Sequence, residues 1–529
     1  MKLERTLFIA IFAALAGCAG VGAESESLLP ARDAESAAAA VAADPVAAAA
    51  ATITPDDIHE RIAFLASDEL RGRDTPSPGL EKAAEYIAAE FQRLGLRAAG
   101  EDGYIQRYPL QRRALDGERV RFALRNGRAT AALRPGEDFF VIPGAPYSGS
   151  GEVVFAGSAE NAEANPALRG RIAVFDLAGV ADQALNAAIG QAVGAASQAG
   201  ANAAIFVLDA SFPADLVQRN MERATRAGRL EVGEAQGEPI FFVTNAAAER
   251  LFREIGQDLA ALRARRADGA APITGVTAEL EAPVRLLEDH RPPNVVAVLP
   301  GSDPELRDTY VVFSAHFDHV GVGRPDASGD SIYNGADDNA SGTSALLEVA
   351  EAFASLPEAP ARSLVFLAVS GEEKGLLGSR YYSDNPTVPL ESIVANINVD
   401  MIGRNAPDSI VVIGQEYSSL GPLVNEVAAE RPELGLTVAP DIWPQERFFF
   451  RSDHFNFARK EIPALFFFAG VHEDYHRPSD HVEKIDTDKA ARVARLIFYT
   501  AYEIATRADA PRWTEEGLQE VRALTGGGR

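Results

Sequence analysis

Cysteine, positive charge and long apolar runs are all scarce in this sequence of 529 residues. The single cysteine, Cys18, excludes a disulfide framework and a thiolate-rich metal site. Lysine and arginine number 50 against 76 aspartates and glutamates, which gives a formal net charge of −26. A surface this acidic repels phosphate backbones, so we expect no nucleic-acid partner. Apolar residues still make up 47% of the chain, which is typical of a globular protein.

The N-terminal residues have the pattern of an export signal. Lys2 and Arg5 precede an apolar run at 7–16, which is too short to span a bilayer as a stable helix. The tetrapeptide LAGC that ends at Cys18 resembles a bacterial lipobox, in which the cysteine is lipidated and becomes the first mature residue. We therefore expect a protein that is anchored to a membrane through Cys18. It would lie in the cell envelope, on the outer-membrane or periplasmic side.

Changes in composition along the chain predict an interrupted main domain with an insertion. The predicted parts are a signal peptide at 1–17, the lipidated cysteine and a disordered tether at 18–52, the first part of the main domain at 53–117, the inserted domain at 118–288, the second part of the main domain at 289–508, and a flexible tail at 509–529.

The inserted domain has a sequence character of its own. Short β-like runs occur at 153–155, 172–175, 204–208 and 240–243, and the segment contains no histidine. The segments GEVVFAG, LRGRIAVFD and QAGANAAIFVLD resemble the protease-associated domain, a common insertion in exopeptidases. We expect a smaller, β-rich α/β domain without metal or nucleophilic chemistry.

The second part of the main domain alternates strands with helices. Continuous apolar runs of this kind are typical of strands that are buried on both faces, and the order predicts a doubly wound α/β fold. We expect a mostly parallel sheet with helices on both faces. The predicted strands are 295–299, 310–315, 363–369, 394–399, 409–413 and 463–468, and the predicted helices are 342–354, 420–430 and 486–506.

Histidines and carboxylates follow these strands closely. The residues in question are, in chain order, His316, Asp318, Asp337, Asp338, Glu372, Glu373, Asp400 and His476. In open α/β sheets, ligands bind outside the carboxyl ends of the strands. Carboxylates brought together there repel one another unless a cation lies among them, and imidazole with carboxylate suits Zn²⁺.

Five segments together resemble the M28 family of metallopeptidases, the bacterial aminopeptidases that use two zinc ions. They are, in order, SAHFDHVG, YNGADDNASG, SGEEKGLLGS, NINVDMIG and YHRPSD. The stretch that begins IAFLASDELRGRDTPSPG resembles the opening helices of that family. The resemblance covers roughly 54–115 and 290–505. It implies a zinc-exopeptidase fold, two Zn²⁺ ions, and peptide substrates with a free N-terminus.

The resemblance also implies a ligand for each metal position. His316 and Asp400 would bind one zinc ion, Glu373 and His476 would bind the other, and Asp338 would bridge the two. Asp338 is chosen because the bridging aspartate of the family lies three residues before a Ser-Gly pair, here at 341–342. Asp337 remains the alternative.

Two further carboxylates would serve the reaction. The resemblance implies hydrolysis of the N-terminal peptide bond by a hydroxide held between the metals, with Glu372 as the general base. Asp318 would accept a hydrogen bond from His316 and orient the imidazole. The resemblance further implies a cis peptide bond between Asp318 and His319.

Other readings of the sequence remain open. A glutaminyl-cyclase-like acyltransferase with a single zinc shares the fold, and an anchored binding protein without activity would use the inserted domain alone. A carboxypeptidase relative would carry a long dimerisation domain, whereas only about 50 residues follow His476. We favour a monomer. The preferred N-terminal residue, the physiological substrate and the role of the inserted domain are not determined by the sequence.

The remaining candidate residues receive less specific predictions. We expect 452–454, a Ser-Asp-His run, to shape the substrate pocket, because three consecutive residues cannot form a catalytic triad by themselves. Both phenylalanine runs, 448–450 and 466–468, are expected mainly in the core, and Phe448–Phe450 is the better candidate of the two for a pocket wall. Histidines 319 and 481 would line the pocket, and histidines 59, 290 and 472 would be surface or structural residues.

Overall fold

A computed structural model describes residues 44–233, 237–264 and 270–524. The predicted signal peptide, Cys18 and most of the predicted tether lie outside the described residues, so the predicted lipid anchor stays a prediction. In the part of the chain that is described, no helix has the length and apolar character needed to cross a membrane. Residues 1–48 and 49–529 form separate units, and the description below concerns the second.

The main sheet is mixed, with parallel strands at its centre. Its strands are β1 (Arg97–Ala98), β2 (Ile105–Arg107), β14 (Pro293–Leu299), β15 (Tyr310–His316), β16 (Ser363–Val369), β17 (Ile393–Val399), β18 (Ser409–Ile413), β19 (Thr437–Ala439) and β20 (Ala464–Phe468). The order is β1-β14-β16-β15-β17-β20-β18-β19, with β2 also paired to β14. The run β16-β15-β17-β20 is parallel, whereas β14 and β18 join it antiparallel. The mixed α/β class is therefore as predicted, and the antiparallel margins are an addition to it.

Helices cover both faces of this sheet, because side chains of a strand alternate between its faces. Phe366 packs against Phe91 and Phe313 on one face. The neighbours of Phe366 in the strand, Val365 and Leu367, belong to a separate apolar cluster on the other face of the sheet. The helices of the described chain are α1 (Pro45–Ala50), α2 (Pro55–Leu65), α3 (Pro78–Arg93), α4 (Leu185–Ala199), α5 (Ala214–Glu222), α6 (Asn245–Glu254), α7 (Leu259–Ala264), α8 (Gly342–Ala354), α9 (Leu377–Asp384), α10 (Leu420–Glu430), α11 (His454–Ala458), α12 (Thr487–Thr506) and α13 (Glu515–Leu524). Of these, α4 to α7 lie in the segment between the two parts of the main sheet.

The segment between the two parts of the main sheet builds a sheet and a core of its own. Its strands are β4 (Arg121–Asn126), β5 (Ala129–Ala132), β6 (Phe139–Ile142), β7 (Tyr147–Ser158), β8 (Ile172–Asp176), β9 (Ala203–Val207), β11 (Ile240–Val243) and β12 (Ala271–Ala282). The order is β5-β4-β12-β7-β8-β9-β11-β6. All buried members of the core lie between Leu115 and Ala282. A third sheet, formed by β3 (Leu110–Leu115), β10 (Arg229–Val232) and β13 (Val284–His290), connects this segment to the rest.

A buried arginine, Arg61, connects α2 by an ion pair to α8, the helix that follows Asp338. Arg61 contacts Glu348 on α8 at 2.6 Å and also contacts Glu90 at 2.6 Å and Glu351 at 2.8 Å. The side chains of Arg61 and Glu348 are 8% and 1% exposed. Burial raises the pKa of Glu348 to about 7, against the opposing effect of Arg61. The positive charge of Arg61 is thus the main compensation for burying the carboxylate of Glu348.

We expect Arg61→Leu to destabilise the protein by about 3–5 kcal/mol at pH 8, the typical cost of breaking a buried ion pair. The folded-state pKa of Glu348 lies above its ordinary value, so ionisation of this group lowers stability as pH rises through that interval. Loss of Arg61 raises this pKa further, and the penalty should therefore be smaller at pH 5 than at pH 8. Urea unfolding of the variant and of the unaltered protein at both pH values measures this loss of stability.

The matched control is Arg93→Leu. Arg93 contacts two of the same carboxylates, Glu90 and Glu351, but its side chain is 50% exposed. Exposed pairs contribute at most about 1 kcal/mol. Equal losses of stability for the two substitutions at pH 8 would show that burial of the Arg61 ion pair does not determine the loss.

Candidate metal centre

The parallel strands of the main sheet bring their polar residues to one edge. His316 is the last residue of β15, Glu372 and Glu373 follow β16, and Asp400 directly follows β17. These strands are hydrogen-bonded neighbours in parallel register, so their carboxyl ends lie together. His476 comes from the loop after β20, the next strand.

One group of potential metal ligands consists of His316, Asp338 and Asp400. The Nε2 atom of His316 lies 3.2 Å from Oδ1 of Asp400 and 3.4 Å from Oδ1 of Asp338. Two ligand atoms bound tetrahedrally to Zn²⁺ at its usual bond lengths lie about 3.3 Å apart. The separations therefore suit a zinc ion among the three side chains.

A second group consists of His319, Asp338, Glu373 and His476. The Nε2 atom of His476 lies 3.1 Å from both Oδ2 of Asp338 and Oε2 of Glu373. Asp338 thus turns Oδ1 towards the first group and Oδ2 towards the second. That arrangement suits a carboxylate that bridges two cations.

His319 was not among the ligands inferred from the sequence. Its Nδ1 atom is 2.8 Å from Oε1 of Glu373 and 3.7 Å from Oδ2 of Asp338. The signal that could have found it is its spacing, three residues beyond His316 in a loop that already supplies a ligand.

The side chain of Asp337, the alternative bridging residue, is directed elsewhere. Its Oδ1 atom accepts a hydrogen bond from the backbone N–H of Gly403 at 2.7 Å. Its Oδ2 atom lies 3.3 Å from Nε2 of His472, which is buried. Asp337 belongs to neither ligand group. His472 has the structural role that the sequence indicated, inside the protein.

Asp318 supports the site differently from what the sequence implied. Its carboxylate is 3.7 Å from Nδ1 of His316, too far for a hydrogen bond, and the nearer acceptor is its backbone carbonyl at 3.2 Å. The carboxylate instead accepts hydrogen bonds from the hydroxyl of Thr75 at 2.9 Å and from the backbone N–H of Glu372 at 3.2 Å. Asp318 therefore connects the His316 loop to the turn that carries Glu372.

The prediction of a cis peptide bond after Asp318 was wrong. In the described chain, the cis bonds are Thr75–Pro76 and Asp338–Asn339. The nonproline cis bond therefore follows the aspartate shared by the two ligand groups.

Glu372 lies at the edge of the first group. It lines the same pocket as His316, Asp338 and Asp400. Burial raises the pKa of Glu372 well above its usual range, and the nearby carboxylate of Glu373 adds to this effect. A divalent cation beside these carboxylates would lower the pKa again and favour the ionised form. The position and the buried setting of Glu372 suit a group that exchanges protons.

Ser452 orients Asp400. Its hydroxyl donates to Oδ2 of Asp400 at 2.8 Å and accepts a hydrogen bond from Nδ2 of Asn398 at 2.8 Å. His454 is stacked on Phe466, and burial lowers its pKa to about 3, so its ring is neutral. Ser452 is thus bonded to a candidate metal ligand rather than to His454, which argues against a hydrolase triad.

Two buried side chains, Asp480 and Arg73, form hydrogen bonds to the main chain around Asp338. The carboxylate of Asp480 accepts the backbone N–H of Asp337 at 3.0 Å and that of Asp338 at 3.2 Å. Arg73 is completely buried and donates to the backbone carbonyls of Phe317 at 2.8 Å, Asn334 at 2.7 Å and Gly335 at 3.0 Å, as well as to Leu65. The structure places this arginine at the base of the centre.

Apart from the three candidate ligands and Glu372, the pocket beside the first group is lined mostly by apolar side chains. Its remaining lining residues are Met401, Phe448, Arg451, Phe466, Phe468, Val471 and Tyr475. The predicted wall at Phe448–Phe450 thus contributes Phe448. The prediction that 466–468 lies in the core is confirmed, since all three rings are buried. Phe466 and Phe468 belong to an apolar cluster and also line the pocket.

Residues 294–501 match the profile of peptidase family M28. This part of the chain is similar to that family. The matched segment includes every residue of both ligand groups, together with Glu372.

Several curated relatives resemble part of the chain. A probable leucine aminopeptidase of Arthroderma benhamiae is 27% identical over 225 residues, which are 41% of this chain and 59% of the relative. Aminopeptidase YwaD of Bacillus subtilis is 28% identical over 222 residues, which are 40% of this chain and 44% of the relative. Leupeptin-inactivating enzyme 1 of Streptomyces exfoliatus is 31% identical over 192 residues, 36% of this chain and 38% of the relative. The chain thus spans between about two fifths and three fifths of these proteins.

Solved structures resemble a larger part of the chain. An aminopeptidase from Aneurinibacillus sp. strain AM-1 has a TM-score of 0.46 at 20% identity and covers 87% of this chain and 96% of its own. A zinc aminopeptidase from Bacillus subtilis has a TM-score of 0.44 at 18% identity and covers 87% and 97%.

Proposed function

We propose that this protein is a zinc-dependent aminopeptidase that hydrolyses the N-terminal peptide bond of peptides. The observation that carries the proposal is the position of Asp338, whose two carboxylate oxygens face two separate ligand groups beside Glu372. Similarity to a probable leucine aminopeptidase and to aminopeptidase YwaD supports the same activity.

Two zinc ions fit the donor set. Histidine and carboxylate are the ligands that zinc takes in catalytic sites, and the buried carboxylates here require compensation by cations. His316 and Asp400 would hold one ion, Glu373 and His476 the other, and Asp338 both. When bound, zinc lowers the pKa of water to near neutrality and polarises the carbonyl of a peptide.

Glu372 would take the proton of the attacking water and deliver it to the amine that leaves. The position of Glu372 in the pocket beside the first ligand group suits this task. The turn that carries Glu372 is fixed by the N–H bond to Asp318, and the bond from Ser452 fixes the carboxylate of Asp400. Both contacts preserve the geometry that the reaction requires.

The pocket favours an apolar residue at the N-terminus of the substrate. Its wall is built from rings such as Phe448 and Phe466, together with Met401. Contact of an apolar side chain with such a wall removes apolar surface from water, which favours binding. The surrounding carboxylates attract the cationic α-amine of a free N-terminus.

The inserted segment would be a protease-associated domain. The proposal rests on the sequence resemblance and on the separate sheet and core that the segment forms. Neither ligand group draws on this segment, so its contribution to the activity would be indirect.

The test is hydrolysis of leucine arylamide by the purified, zinc-loaded protein, compared with the N-acetylated arylamide. We expect cleavage of the free amine substrate only, with loss of activity on chelation and recovery on addition of zinc. Cyclisation of N-terminal glutamine without hydrolysis would instead support the acyltransferase. A protein that binds zinc and cleaves no aminoacyl or dipeptide substrate would contradict the proposal.

A further inference from the structure

The inserted segment contains a cavity that the proposed reaction does not use. The cavity has a volume of about 480 Å³ and lies between the edge strand β6, helix α4 and the turn that follows α5. None of the residues that line it belongs to either metal-ligand group. A volume of this size is typical of sites for small organic ligands. The apolar part of its lining includes Phe140, Leu185, Ile189, Leu208, Phe212 and Phe242.

Phenylalanine rings form one wall of this cavity. The rings of Phe140 and Phe242 are buried and stack with their centroids 4.8 Å apart, and the ring of Phe212 lies 6.2 Å from that of Phe140. Ile142, which also lines the cavity, is 40% exposed and is one of five large apolar side chains that are exposed in the described chain. The cavity thus has an apolar interior that opens to solvent beside Ile142.

Positive charge is concentrated at the opening of the cavity. Arg223 and Arg229 line it and are exposed, and residues 219–229 contain four arginines and one glutamate. Arg229 contacts the carboxylate of Glu231 at 3.2 Å, but Glu231 does not line the cavity. Among the described residues that do line it, none is an aspartate or a glutamate. In a chain with a net charge of −26, this lining is complementary to an anion.

The main chain fixes the turn that carries the two arginines. Gly228 has a φ of +66°, and a Cβ atom at this position would come within 2.3 Å of the carbonyl oxygen of Arg113. The hydroxyl of Thr225 donates to the carbonyl of Met221 at 2.9 Å, and the carbonyl of Thr225 accepts a hydrogen bond from Arg285 at 3.0 Å. A turn that is ordered before a ligand arrives loses little conformational freedom on binding.

We propose that this cavity binds a small organic anion with an apolar body, of the kind formed by a hydrocarbon chain that ends in a carboxylate. The hydrocarbon would lie against the phenylalanine rings. The carboxylate would lie beside Arg223 and Arg229, which can donate charge-assisted hydrogen bonds to it, and the amide of Asn220 in the lining offers a further donor. A free amino acid fits less well, because the described lining has no carboxylate for its ammonium group. The inference does not depend on the proposed peptidase activity.

Calorimetric titration of the purified protein with decanoate tests this proposal. We expect one decanoate to bind per chain. Decan-1-ol has the same hydrocarbon chain without the charge, and it should bind about 10–100-fold more weakly, the typical effect of losing a hydrogen bond to a charged group. Equal affinities for the two compounds would overturn the assignment of an anion, and a failure of decanoate to bind would overturn the proposal as a whole.

The decisive variant combines Arg223→Gln with Arg229→Gln. It should lower the affinity for decanoate by about 10–100-fold and leave the affinity for decan-1-ol unchanged. The control is Arg219→Gln, which removes an exposed arginine of the same segment that contacts Asp215 and does not line the cavity. This control should bind decanoate as the unaltered protein does. Decanoate bound equally well by the double variant would lie elsewhere, which would contradict the proposal.

Ile142→Asp provides a second variant if the double variant does not fold. The position is exposed, so the substitution should be tolerated, and it places a like charge at the opening. We expect the affinity for decanoate to fall more than about tenfold. Unchanged affinity would contradict the proposed position of the anion.

A competing peptide tests the class of ligand. An N-acetylated peptide with an apolar C-terminal residue also carries a carboxylate next to an apolar group, and its blocked N-terminus protects it from the proposed hydrolysis. We expect it to displace decanoate only at concentrations well above those of decanoate itself. Displacement at lower concentrations would assign the cavity to the C-terminus of a peptide and overturn the proposed ligand class.

Discussion

Replacement of Glu372 by glutamine should lower kcat by about 10²–10⁴-fold, the usual contribution of a general base. Glutamine has nearly the shape of glutamate but cannot accept a proton at neutral pH. The backbone N–H that holds this turn to Asp318 is untouched by the substitution, so the local structure should persist. Because Glu372 belongs to neither ligand group, the zinc content should stay unchanged. Hydrolysis of leucine arylamide and metal analysis on the same preparation check both expectations.

The neighbouring Glu373→Gln variant separates a loss of the base from a loss of metal. Glu373 contacts His319 and His476 within the second ligand group, so this substitution should reduce zinc binding along with activity. If Glu372→Gln retained its full kcat, Glu372 would not be the base. If instead it lost zinc to the same extent as Glu373→Gln, its loss of activity would be no evidence for proton transfer.

Substitution of Asp338 by asparagine should remove both metal ions, because its carboxylate contributes one oxygen to each ligand group. The substitution replaces a charge that compensates two cations with a neutral amide, and the buried setting amplifies the loss. We expect each zinc affinity to fall more than about 100-fold and hydrolysis to fall to the level of chelator-treated protein. Titration with zinc, read out by metal content and by activity, measures both effects.

Asp337→Asn is the matched control. The two aspartates are adjacent and buried, but Asp337 accepts a hydrogen bond from Gly403, which an amide oxygen can still accept. We expect both ions to be retained and activity to change less than about tenfold. The reverse outcome, with metal lost on substitution of Asp337 and kept on substitution of Asp338, would reassign the bridging position.

The central strands and the order of the polar residues were predictable, because a buried parallel strand leaves a continuous apolar run and a chemically distinct residue after it. Strands at 363–369 and 409–413 match the structure. His319 was not predictable in the same way, since its importance depends on the fold of its loop against Gly335. Arg73 and Thr75 were missed because their partners lie more than 240 residues away in the chain.

Sequence was least informative where packing decides orientation. The two phenylalanines of β20 that line the pocket cannot be told from core residues until the face of the strand that meets the pocket is known. The inserted segment contains more strands than its apolar runs indicated. Strands such as β4 and β12 alternate buried and exposed positions, which leaves only a weak apolar signal.

The position of Arg73 at the base of the centre determines which parts of the chain are needed to build the centre. Arg73 and Thr75 lie outside the family match at 294–501, on the far side of the inserted segment in sequence. A fragment cut to that match would retain every proposed zinc ligand. It would nevertheless lack the donors to the Phe317 and Asn334 carbonyls and to the Asp318 carboxylate. The proposed catalytic unit is therefore discontinuous, and it can be assembled only after synthesis has passed the inserted segment and reached His476.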